Sequence, residues 1–228
     1  MAAVLRLLRP SLAKTPPPFA ESDDVYPVHM LDDTKTLRDI VVTWTLCFND
    51  VLDADNLYAS LSKLLEIGDL RKAGVAAAVK GYLLFDNLLI GQQNRELEIH
   101  VPRAFTAERP DVYYTHQALD MNFEDHPLAK SLPKATEAPS IQPGPQVFRA
   151  FAVCEDAPEK LEDFIYQDIL QLSLHITSFN DATLVALLWP HTLMDVMGQQ
   201  ALLHGWSLVL AGRESEVYRS ARTFELFE

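Results

Sequence analysis

The chain has 228 residues, enough for one large domain or two small ones, and 48% of them are hydrophobic, enough to bury a core. A formal net charge of −13 argues against nucleic acid and anionic membrane surfaces as partners, since both are met by clustered Lys and Arg. No run of 18 apolar residues occurs, so no membrane span is predicted and a cytoplasmic location is expected.

Residues 1–14 carry Arg6, Arg9 and Lys14 and no acid, a faint presequence pattern that Pro10 and Pro16-Pro17-Pro18 interrupt. Residues 1–24 are expected to be a disordered leader, 25–215 a folded domain, and 216–228 a tail of unclear structure. Residues 21–33 are polar and acidic and read as a loop. Residues 40–48 are β-branched and aromatic and read as a strand. Asp53 then suits a helix N-cap, Leu57, Leu61, Leu64 and Leu65 mark one helical face, and Gly68 is a natural stop.

Beyond Gly68 the pattern is less regular. Residues 73–93 have no clean period, although Ala76-Ala77-Ala78 suggests helix. Residues 97–101 and 112–119 read as strands. The five prolines 127, 133, 139, 143 and 145 mark an irregular crossing loop. Residues 147–153 read as a strand and 158–165 as a short helix. Residues 172–179 and 182–189 read as strands joined at Asn180-Asp181, a hairpin signal. Residues 194–211 carry helical apolar spacing around Trp206 and end at Gly212. This mixture predicts a layered α/β (α+β) domain, a mixed sheet with flanking helices. Cys47 and Cys154 lie in apolar runs and read as buried, reduced thiols; no Cys-x-x-Cys pair points to a metal.

His-x-x-x-Asp occurs three times, at His29/Asp33, His116/Asp120 and His191/Asp195. With seven histidines in the chain, at least two of these should be coincidence. His29 lies in the polar loop. His116 and Asp120 share a face of a strand. His191 alone follows an apolar strand and precedes a helix, the kind of place where a catalytic group is mounted on a rigid support. Spacing alone leaves open a blander role, in which His191 ends a strand and bonds a backbone carbonyl.

Context sharpens this. Leu172-Ser173-Leu174-His175, then Thr183-Leu184-Val185, then the run from Trp189-Pro190-His191 through Asp195-Val196-Met197-Gly198, resembles the central motif of BAHD-type acyltransferases. The likeness is to the fungal branch that acetylates secondary metabolites, trichothecenes and meroterpenoids among them. Residues 39–68, Leu97-Glu98-Ile99-His100-Val101-Pro102 and the helix ending Trp206-Ser207-Leu208 add to it, so that it spans roughly residues 25–215. The resemblance implies a chloramphenicol acetyltransferase-like N-terminal domain with the second domain missing. It implies acetyl-CoA as co-substrate, no bound cofactor or metal, a small-molecule alcohol acceptor of terpenoid or meroterpenoid type, and a second chain as a candidate source of the other half-domain. It implies that His191 is the general base, with Asp195 and Gly198 supporting its loop. Imidazole titrates near neutrality and suits that task. In the family the aspartate points away from the reacting groups and pairs with a basic residue; orientation of His191 by Asp195, as in a triad, is the alternative.

The sequence departs from the family in three places. Val196 stands where many members have Gly. Residues 73–93 lack the expected Gly-Arg-Leu strand. No Asp-Phe-Gly-Trp-Gly motif occurs. Two other readings therefore stand beside an acetyltransferase: a truncated, catalytically inactive relative, and, below both, a peptide-synthesis condensation domain, whose paired histidines would need His where Pro190 stands.

Overall fold

A computed structural model describes residues 23–28, 32–74, 76–80, 96–154, 157–166 and 170–217. The expected leader at 1–24 lies almost wholly outside the described residues, as do His29 and most of the tail at 216–228.

The chain opens with β1 (Asp24–Pro27), a one-turn helix α1 (Lys35–Arg38), β2 (Val41–Phe48) and α2 (Ala54–Leu65). β3 (Ala76–Lys80), β4 (Glu96–Val101) and β5 (Tyr113–Ala118) follow, then α3 (Leu161–Tyr166), the hairpin β6 (Ser173–Ser178) and β7 (Thr183–Pro190), and finally α4 (Val196–Leu210). The strands form two sheets. One is small and antiparallel, in the order β1-β4-β3; the other is mixed, in the order β2-β7-β6-β5, with β5 and β6 parallel.

β7 explains the architecture. All eight of its positions are buried, because it is central and covered on both faces. Val185, Leu187 and Trp189 face α2 and α4, where Leu61, Leu64, Leu65, Leu202 and Trp206 complete the main core. Leu184 and Leu188 face the other way, toward Phe151 and Phe179 in one cluster and toward α3 with Phe164 in another. The helices approach closely because Gly205 lacks a side chain: a Cβ there would lie 2.9 Å from Leu64 Cδ1. Beside it Trp206 Nε1 donates to Ser60 Oγ at 2.8 Å, so the buried indole N–H has its acceptor.

The strand at 40–48, the Asp53 cap, the leucine-faced helix, the strands at 97–101 and 112–119, the hairpin and the last helix all form as expected. Asp53 Oδ1 accepts from the N–H groups of Asp55 and Asn56, both at 3.0 Å. Gly68 at φ +52° and Gly212 at φ +68° sit in the left-handed region just past α2 and α4, where a Cβ is costly.

Four expectations are corrected. Residues 21–33 are not all loop: β1 pairs with β4 from Asp24↔Val101 to Pro27↔Glu98, and as an edge strand it tolerates Pro27. Ala76–Lys80 is a strand, because pairing with β4 outweighs the helix preference of three alanines. Residues 147–153 are not a strand. Pro145–Phe151 is a 3-10 helix that buries Phe148 and Phe151, three apart, and leaves Val147 55% exposed, so the apolar period was three rather than two. The thiols are not buried: Cys47 lies on edge strand β2 and is exposed, and Cys154 is half-buried.

Arg109 clamps the start of β1. Its two terminal nitrogens bond Asp23 Oδ1 and Oδ2 at 2.8 and 2.7 Å, and the Asp23 side chain is 1% exposed. Hydrogen bonding from Arg109 holds that carboxyl below the usual carboxylate range. A depressed native pKa contributes stability above the unfolded value of about 3.9 that is lost as pH falls through the native one. Asp23→Asn should therefore flatten the acid limb of the pH–stability curve, roughly between pH 5 and pH 2. Chemical denaturation of both proteins across that range checks this, and identical slopes would refute it.

Candidate active site

His191 stands one residue past β7. Val41 pairs with Pro190, and the ladder continues once more as His191 N–H donates to Ile40 O at 2.8 Å. The chain then turns, with Leu193 N–H bonding Pro190 O at 2.9 Å. Trp189, fully buried at the strand's end, sends its Nε1–H back to Met194 O at 3.2 Å. Leu193 packs against Ile99 and Val101 of the small sheet, Met194 packs on the main core, and Thr192 is 5% exposed. The loop carrying His191 is thus wedged between the two sheets and the core. Trp189 and Ile40 were not singled out as supports by sequence reasoning. The available signal was a tryptophan ending a buried strand, whose N–H needs an acceptor nearby.

Asp195 ends the loop and caps α4. Its Oδ1 accepts from Met197 N and Gly198 N, each at 2.9 Å, and its carbonyl accepts from Gln199 N at 2.9 Å. No hydrogen bond joins Asp195 to His191, and among the described residues no basic side chain pairs with it. The carboxylate is committed to the helix N-terminus, where anionic acceptors are favoured. Gly198 is constrained by the same turn, since a Cβ there would lie 2.7 Å from Met194 Cβ. Asp195→Ala should cost about 1 kcal/mol, as loss of an N-cap does, whereas Asp195→Ser should keep most of the stability. Thermal unfolding of the two variants checks this, and equal losses would sink the capping role.

The His191 ring is half-buried, and its Nδ1 is buried with no hydrogen-bond partner among the described residues. The blander role, a histidine that ends a strand and bonds a backbone carbonyl, is met by the backbone N–H of His191 on Ile40 O, while the ring makes no hydrogen bond among the described residues. An imidazole nitrogen left unbonded in a rigid loop is costly for folding alone. At the start of α4, Val196 and Met197 are 71% and 52% exposed.

The other histidines are placed differently. His116 Nε2 contacts Ser178 Oγ at 3.0 Å, while Asp120 accepts from Asn180 Nδ2 at 3.3 Å, so that His-x-x-x-Asp pair is not brought together. His175, quoted above only within a motif, proves to be buried: its Nδ1 lies 2.6 Å from Thr115 Oγ1, and burial pushes its pKa down, so it is a neutral member of the sheet. Among the described residues no group of three or more His, Cys, Asp or Glu is placed to hold a metal ion.

The chain is 40% identical over 195 residues to the O-acetyltransferase PaAT-2 of Phomopsis amygdali and 41% identical over 197 residues to the acetyltransferase BOT5 of Botryotinia fuckeliana. Each match covers 86% of this chain. The chain is a homologue of these fungal acetyltransferases. It spans 37% and 34% of their lengths, little more than a third. A relative from Penicillium decumbens, calD, 35% identical over 207 residues, bears the name of a transcriptional regulator. No family model matches the chain. Among solved structures, F. graminearum TRI101 complexed with ethyl coenzyme A superposes with a TM-score of 0.52 at 13% identity. The match covers 83% of this chain and 40% of TRI101. At that identity the likeness concerns the fold, and the expected layered α/β fold with a mixed sheet and flanking helices is the one found.

Proposed function

We propose that this chain forms the base-bearing side of an acyl-CoA-dependent O-acetyltransferase. His191 takes the proton from a hydroxyl of a fungal secondary metabolite, of terpenoid or meroterpenoid type, as that oxygen attacks the thioester carbonyl of acetyl-CoA. The tetrahedral intermediate collapses to an acetate ester, and the coenzyme leaves as its thiol after reprotonation. A histidine is the side chain whose basicity suits this at neutral pH. The supporting observation is the His191 loop itself: a mount at the end of β7 whose imidazole has no hydrogen-bond partner among the described residues. A base working through Nε2 keeps its proton on Nδ1, and that N–H needs an acceptor from the completed site. Asp195 and Gly198 serve the reaction indirectly, by starting α4 in the right place.

The reading carries a cytoplasmic setting, where acyl-CoA is available, and a further polypeptide segment, in cis or as a second chain, forming the opposite wall. None of the helices described is long and apolar enough to cross a membrane. The name carried by calD does not move this reading toward DNA, since a chain with net charge −13 is poorly suited to phosphate backbones.

The test is a chimera in which residues 25–215 replace the matching stretch of PaAT-2. Acetyl transfer that disappears with His191→Ala supports the proposal, and unchanged transfer overturns it. The exposed Val196 and Met197 beside His191 favour one second reading, a catalytically silent relative that binds through this surface. That reading expects a folded chimera with no transfer even when His191 is intact.

A further inference from the structure

β2 is an edge strand of the mixed sheet and lacks the usual protection of an edge. Sheet edges are ordinarily blunted by charge, proline or shortness, because their unpaired backbone groups can accept a further strand. The small sheet follows that rule: β1 is four residues long and holds Asp24 and Pro27, and β3 ends in Lys80. The other edge of the mixed sheet, β5, holds His116 and Gln117. β2 is eight residues long, VVTWTLCF, with no charged residue, proline or glycine.

The register shows which backbone groups of β2 are free. In an antiparallel pair alternate residues bond across to the neighbour, and those between turn their N–H and C=O outward. His191 N–H bonds Ile40 O, so Val42, Trp44, Leu46 and Phe48 bond β7 in turn. Pro190, which has no N–H to give, falls opposite Val41, where no bond crosses. Val41, Thr43, Thr45 and Cys47 therefore present their N–H and C=O groups at the edge, and no hydrogen bond among the described residues reaches them. These four residues are spaced symmetrically about Trp44. A second β2 laid antiparallel, with Trp44 on the two-fold axis, sets Val41 opposite Cys47 and Thr43 opposite Thr45. Each pair exchanges two hydrogen bonds, so every outward group of both strands is satisfied. On the face toward the main core, where Val42 and Leu46 pack, the same register sets Val42 against Leu46, Trp44 against its copy and Ile40 against Phe48. Ile40, Trp44 and Phe48 are exposed in the single chain and become cross-strand apolar pairs. The edge is thus complementary to its own copy in backbone and side chains alike, the condition of an isologous interface.

We infer that β2 is a dimerisation strand: two copies of this chain join their mixed sheets edge to edge through β2, around a two-fold axis at Trp44. The inference stands apart from the acetyltransferase reading, since it uses neither the His191 ring nor any substrate.

Sedimentation equilibrium of the 228-residue chain at micromolar concentration is expected to return twice the chain mass of 25.7 kDa. Trp44→Lys places like charges directly opposite each other and should weaken the dimer by at least about 10-fold, with the far-UV circular dichroism unchanged. Mixing Trp44→Lys with Trp44→Glu should restore it, which keeps the test sharp if either variant alone is poorly behaved. Register is read by oxidative cross-linking in a Cys47→Ser background. Trp44→Cys lies within disulfide reach of its copy and should cross-link, whereas at position 43 the two Cα atoms are roughly 8 Å apart and Thr43→Cys should not. A monomer overturns the inference, and slow hydrogen exchange at the Val41, Thr43, Thr45 and Cys47 amides of that monomer would show that another segment of polypeptide covers the edge instead. A dimer indifferent to Trp44→Lys, or one that cross-links through Thr43→Cys and not Trp44→Cys, overturns it as well.

Discussion

Replacing His191 with alanine in an active chimera is expected to lower kcat for acetyl transfer by roughly 10²- to 10⁴-fold, the usual contribution of a positioned general base. The fold should be untouched. What holds the loop is the backbone N–H of His191 on Ile40, the Trp189 indole on Met194 and the packing of Leu193, none of which uses the imidazole. In the 228-residue chain the buried Nδ1 has no partner among the described residues, so its removal there deletes an unsatisfied polar atom, and His191→Ala in that chain should melt at or above the wild-type temperature. That combination is diagnostic. A structural histidine would show the opposite pattern, lost stability with retained rate. Measuring kcat beside thermal unfolding separates the two cases. Asp195→Ser supplies the companion control: a serine cap should keep the rate near wild type, whereas an aspartate that oriented the base directly could not be replaced in this way.

The largest stability effect is expected where α2 crosses α4. Leu64 is fully buried, and truncation to alanine should cost about 2–5 kcal/mol, lowering Tm by roughly 4–20 °C. Gly205 gives this site a sharper test. Alanine is the better helix former by about 1 kcal/mol, yet a Cβ at 205 would lie 2.9 Å from Leu64 Cδ1, so the fully buried Leu64 side chain would have to shift. Gly205→Ala should therefore destabilise the wild type and stabilise the Leu64→Ala variant. The double-mutant cycle should close with a coupling of at least about 1 kcal/mol. Additive effects would mean that the helices are spaced by something other than this contact.

Much of the fold could be read from local pattern. The leucine face of α2, the Asp53 cap, the Asn180-Asp181 hairpin and the stop at Gly212 are short-range signals, set by helical or strand period and by turn chemistry, and they sit where expected. The misreadings share a different cause. Ala76–Lys80 and Asp24–Pro27 are strands because β4 lies between them and pairs with both, which no window of either segment contains. Residues 147–153 were β-branched and aromatic enough to suggest a strand, but Phe148 and Phe151 are buried together by a 3-10 turn started at Pro145. The exposure of Cys47 follows from β2 lying at a sheet edge, which composition does not reveal.

The site divides in the same way. By itself the sequence singled out His191 among three equivalent spacings, because an apolar strand before it and an amphipathic helix after it are written in consecutive residues. It could not choose between the two duties of Asp195, nor assign Trp189 a role, nor bring Val41 beside Pro190. Those depend on which backbone donors and strands lie nearby after folding. Folding supplies the partners: Oδ1 of Asp195 accepts from the first turn of α4, and β2 is laid against β7 so that Val41 pairs with Pro190. Local periodicity fixes which residues form an element, but hydrogen-bond partners and cavities arise between elements, and only their packing sets them.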